Sequence, residues 1–138
     1  MAEKGLEGID ETVHQTYSWL NEIAGELGAD RHGALNSLRA VLHAVRDRLS
    51  IDESAQLAAQ LPMLVRGMYY EGWDPGRTAN GRDLDLFLAQ VGREAHFERA
   101  DAEWASHAVG LVLSKHVSHG EMEDVLRSLP KPTRELLQ

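Results

Sequence analysis

The chain has 138 residues, 43% of them hydrophobic and 26% charged, with twelve glycines, four prolines and no cysteine. A chain of this size buries about two-thirds of the surface its unfolded form exposes, so one folded unit needs no disulfide or structural metal, and thiolate zinc sites and cysteine nucleophiles are excluded outright. The 22 acidic against 14 basic side chains give a net charge of −8, which repels phosphate backbones and anionic lipid and argues against nucleic acid or a membrane as partner.

Residues 1–10 carry no apolar core of a signal peptide and are expected as a flexible N-terminus, and no apolar run reaches the roughly 18 residues that span a bilayer. The expected compartment is the cytoplasm. From residue 11 onward apolar residues recur three and four apart, and no stretch of β-branched residues alternates with polar ones, so the fold class is all-α. The first helix places Val13, Tyr17, Leu20, Ala24 and Leu27 in one line, widened by Trp19 and Ile23, and stops at Gly28. Asp30 caps a second helix with Ala34, Leu38, Val41, Val45 and Leu49 in register and Leu42 beside them. Ser50 and Glu53 have the spacing of a capping box and open a third. Leu61-Pro62 breaks it and starts a short fourth helix carrying Leu64, Val65, Met68 and Tyr69. The turn residues Asp74-Pro75-Gly76 and Asn80-Gly81 mark the long connection at 71–83.

Shifting the sequence by 68 positions superimposes its punctuation on itself. Ser50 and Glu53 fall on Ser118 and Glu121, Leu61-Pro62 on Leu129-Pro130, Arg66 on Arg134, and Ala40-Val41 on Ala108-Val109. Apolar positions follow, with Trp19-Leu20 on Phe87-Leu88 and Ile23 on Val91. A fixed offset without gaps is the mark of a duplication. The expected architecture is about eight helices, as two tandem four-helix repeats, 11–70 and 84–138, in one helical domain. Replacement of Leu42 by Gly110 and of Leu64 by Pro132 suggests that the second copy has lost packing surface.

Candidate chemistry is thin. His116, His119, Glu121 and Glu123 lie close in sequence and are of types that bind zinc, manganese or iron, but the spacing is not diagnostic, and helix-end roles account for them. No metal or other cofactor is expected; His116, His119 and Glu123 are the metal option. His43, between Arg39 and Asp47 at helical spacing, fits a partner-reading or proton-transferring row, or a solvated stripe of ion pairs. Tyr69, Tyr70 and Trp73 run into the connection beside Arg66, Glu71 and Arg77, an aromatic cluster suited to anchoring a partner or to closing the core. No nucleophile elbow, phosphate loop or dinucleotide fingerprint occurs.

The run Leu38-Arg39-Ala40-Val41-Leu42-His43-Ala44-Val45-Arg46-Asp47-Arg48-Leu49, then Leu57-Ala58-Ala59-Gln60-Leu61-Pro62, Arg66-Gly67-Met68-Tyr69-Tyr70-Glu71-Gly72-Trp73-Asp74-Pro75 and His116-Val117-Ser118-His119-Gly120-Glu121 resembles the bacterial family called domain of unknown function 2267. The likeness runs from about Thr12 to Leu137. It implies a stand-alone bacterial helical protein and brings no activity, cofactor or catalytic residue with it. The expected function is a non-enzymatic protein-interaction module with an unidentified protein partner, contacted through Arg66, Tyr69, Tyr70, Glu71, Trp73, Arg77 and His43. The alternative is a protein that binds a small ligand in the groove between the copies, or a metal. A homodimer through a helix face left open by the second copy is the remaining assembly the sequence allows.

Overall fold

Four helix starts are fixed by a side-chain oxygen accepting a backbone N–H three residues on: Asp30 from Gly33, Ser50 from Glu53, Asp83 from Leu86 and Ser118 from Glu121. The computed structural model describes residues 5–76 and 81–138. Among them lie eight α-helices and no strand: α1 Glu7–Leu27, α2 Arg31–Arg46, α3 Ile51–Ala59, α4 Met63–Tyr70, α5 Leu84–Ala95, α6 Arg99–His116, α7 His119–Arg127 and α8 Lys131–Leu137. Gly28 ends α1 in the left-handed conformation at φ 65°, as its position predicts. None of the helices is long and apolar enough to cross a membrane. Residues 7–10, expected as part of a flexible N-terminus, form the first turn of α1.

Helix α2 lies at the centre, packed against α1, α4, α5 and α6. From Ser37 to Arg46 every residue but Arg39 is buried. Leu38, Val41, Leu42 and Val45 meet Phe87, Val91, Val109 and Leu113 in one continuous core. The helix ends at Arg46, so Leu49 lies in the following turn and is half-buried.

Two sequence expectations fail. Helix α1 buries Thr12, Thr16, Trp19, Leu20 and Ile23, while Val13 and Tyr17 face outward. The cause is local: Thr12 Oγ1 accepts the Leu64 N–H at 3.2 Å and Thr16 Oγ1 donates to the Thr12 carbonyl at 2.7 Å. Threonine is thus the residue that can satisfy the first turn of α4, and the helix turns that face inward. Gly110 does not mark lost packing. A Cβ there would stand 2.1 Å from the Leu137 carbonyl oxygen, so the missing side chain admits the backbone of α8, whose Leu137 is fully buried.

The second to fourth helices of each half begin at Arg31 and Arg99, Ile51 and His119, and Met63 and Lys131, each pair 68 residues apart. Arg66 donates to the Leu61 carbonyl and Arg134 to the Leu129 carbonyl. Histidines of α2 and α6 reach the carbonyls of Met68 and Leu136 respectively.

Candidate functional site

A helix leaves its last carbonyls without partners inside the helix. At the end of α4 the buried polar residues of α2 supply them. His43 Nε2 lies 2.6 Å from the Met68 carbonyl oxygen, and Arg46 Nη1 donates to the carbonyls of Tyr69 and Glu71, both at 2.7 Å. The other imidazole nitrogen, Nδ1, lies 2.8 Å from a carboxylate oxygen of Glu94 on α5. One turn along, Gln90 Nε2 donates to Asp47 at 2.8 Å and Gln90 Oε1 accepts from Arg48 at 2.7 Å. His43 and Asp47 therefore meet Glu94 and Gln90 in descending order, a polar seam between antiparallel helices. At the rim Arg39 pairs with Glu71 at 3.0 Å.

These groups line a cleft of about 410 Å³ bounded by Asn36, Arg39, His43, Arg46, Glu71, Gly72 and Glu94. Arg46 is 4% exposed and His43 7%, so the floor is set in the protein interior and the rim is wet. Both His43 nitrogens are taken up by these partners and neither is directed at the open cleft. Of the two alternatives for the row around His43, the solvated stripe fails at His43 itself, which is buried and makes long-range contacts with α4 and α5. What this arrangement does chemically is hold charges of both signs in fixed places, with Arg39 and Arg46 beside Glu71 and Glu94.

The aromatic residues divide. Tyr69 is fully buried and burial pushes its phenol upward. Tyr70 and Trp73 are half-buried, their ring centroids 5.3 Å apart, with Tyr70 edge-on to Tyr69 at 5.4 Å. They flank Glu71 in sequence, placing an aromatic pair beside the acidic rim. Arg66 serves elsewhere, donating to the carbonyls of Ala58 and Leu61 and closing the end of α3. Arg77 lies outside the described residues. The sequence reading missed Glu94, Gln90 and Asn36. The signal for the first two was the one-turn spacing Gln90–Glu94, which mirrors His43–Asp47.

The metal option is not assembled. His116 pairs with Glu22 and stacks on Trp19 with centroids 4.8 Å apart, whereas His119 pairs with Glu123 on the open surface of α7 at 3.0 Å. His116 instead lines a groove of about 390 Å³ with His14, Trp19, Gln60 and Pro62, between α1, α6 and the α3–α4 turn. Among the described residues, the ligand atoms that converge belong to Glu53, Glu121 and Asp124, within 4.8 Å of one another. Here the two capping-box glutamates face each other where α3 packs on α7. Burial, the opposing Glu53 carboxyl and Asp124 push the Glu121 carboxyl up to about 7. A shared proton explains that shift without a cation.

No curated protein matches the chain. A family model does, over residues 16–136, and its description is "Uncharacterized conserved protein (DUF2267)". With all but the two ends of the sequence inside that match, the chain belongs to the DUF2267 family.

Proposed function

We propose that the protein is a non-enzymatic interaction module whose contact surface is the Tyr70–Trp73 pair together with the rim of the α2–α4–α5 cleft. The observation that carries this reading is the commitment of the His43 ring: both its nitrogens are engaged inside the fold, by Glu94 and by the Met68 carbonyl, and neither is directed at the open cleft. A buried, fully bonded floor under an exposed ion pair suits recognition, which needs fixed charges and does not need a titrating group. A duplicated origin accords with the 68-residue spacing of the helix starts.

Capture with crosslinking tests the reading. Trp73→Ala and Glu71→Ala are expected to lose a partner that the native chain retains, with melting temperatures close to native. Retention of the same partner by both variants, or collapse of the fold in both, overturns it. A second reading, a small polar ligand held in the cleft, is favoured by its volume of about 410 Å³, within the range of ligand pockets. Its mark is an amide-shift change at His43 and Glu94 on adding a small molecule, in place of a captured protein.

A further inference from the structure

Among the described residues nine large hydrophobic side chains are exposed, and six of them, Leu6, Ile9, Val13, Tyr17, Met63 and Leu64, belong to the N-cap and N-terminal half of α1 and the first turn of α4. The Leu64 N–H bond to Thr12 places those two segments side by side. Along α1 the apolar residues follow the three- and four-residue spacing of a helix stripe, and their exposure runs from 37% at Val13 to 73% at Leu6. Over its N-terminal half, helix α1 turns Thr12 and Thr16 inward and this stripe outward, which is the reverse of an ordinary surface helix. Leu6, Ile9 and Val13 also lie where α1 extends beyond its counterpart, since α1 has 21 residues and α5 has 12.

We propose that this face is covered by the same face of a second copy of the chain, with the two α1 helices antiparallel about a two-fold axis near Val13. Two observations select a second copy. The exposed fractions of these six side chains correspond to roughly 500 Å² on one chain, so complete mutual cover by a second copy buries about 1,000 Å², the size at which an interface becomes specific. The charges beside the stripe are self-complementary only in the antiparallel sense. Asp10 lies on this face at its first end, with Glu7 on its flank. At its other end the Arg31 guanidinium sits 4.7 Å over the Tyr17 ring and its Nε donates to Asn21. A two-fold axis at Val13 brings Ile9 of one chain to Tyr17 of the other and the carboxylates of one toward Arg31 of the other. A parallel pairing sets acid against acid.

The absence of cysteine makes the test direct. In sedimentation equilibrium over a series reaching the ~100 µM range, the native chain is expected to rise from its 15.3 kDa monomer mass toward twice that value. Val13→Glu, checked by melting to be folded, is expected to stay monomeric. Under mild oxidation Val13→Cys is expected to form a covalent dimer, while the exposed control Trp104→Cys is not. Ile9→Cys mixed with Tyr17→Cys is expected to give the mixed dimer in preference to either symmetric one. A native chain that stays monomeric throughout the series, no crosslink at Val13→Cys, or symmetric crosslinks alone in the mixture overturns the proposal. The Val13→Cys arm decides it even where Val13→Glu fails to fold.

Discussion

His43 is held at both ends by groups far from it in sequence, Met68 and Glu94. His43→Ala leaves a buried carbonyl and a carboxylate without their partner, and the expected loss is about 2–4 kcal/mol in denaturant unfolding, the order for breaking a buried polar pair. Glu121 gives the pH dependence. Its carboxyl is raised to about 7 in the fold, so between its unfolded value near 4.5 and about 7 the folded chain binds the extra proton. The stabilising contribution is therefore fully present below about 4.5 and is lost as pH rises through 7. Thermal melting should show the native chain losing stability from pH 5 to pH 8, and Glu121→Gln, which is neutral throughout and able to donate to Glu53, should flatten that slope and melt higher than native at pH 8. At this scale the sequence was legible for types and caps, as at Ser50, Ser118 and Gly28. Partners were not, because Glu94 lies 51 residues from His43 and a one-dimensional spacing carries no information on which helix lies opposite.

Among the elements, α2 was the most legible, because Ala34, Leu38, Val41, Leu42 and Val45 all became core and only Leu49 fell past the helix end. Helix α1 was read a fraction of a turn out of phase. Periodicity identifies an apolar stripe, but it does not say whether the molecule's own core covers that stripe, and the Thr12–Leu64 hydrogen bond decided the matter. Helix α6 shows the same limit at Gly110, where a missing side chain means close approach of the α8 backbone. Gly110→Ala is expected to displace the end of α8 and to lower stability by about 2–3 kcal/mol, as overpacking against backbone does. Gly67→Ala is the control: nothing lies within 4 Å of its added Cβ, so removing a glycine from the interior of α4 should raise stability by about 0.5–1 kcal/mol.

The whole molecule shares one core across both halves, and α2 touches helices from each. Far-UV dichroism and tryptophan fluorescence are therefore expected to report a single coincident transition, and two separated transitions would show that the halves fold independently. Arg82 adds to this unity by donating to the carbonyls of Arg48 in the first half and Ser128 in the second. The all-α class and the helix order were legible from the sequence because caps and prolines are local signals; the location of the cleft was not, since it forms only where α2, α4 and α5 come together.

The central placement of α2 has a consequence for the order in which the molecule opens. Apart from Arg39 at the cleft rim, the residues of Ser37–Arg46 are buried under neighbouring helices, so solvent deuterium reaches their amides only when the entire fold comes apart. Their protection against isotope exchange thus reads out the global unfolding free energy, while the overhanging first turn of α1 labels within the earliest time points.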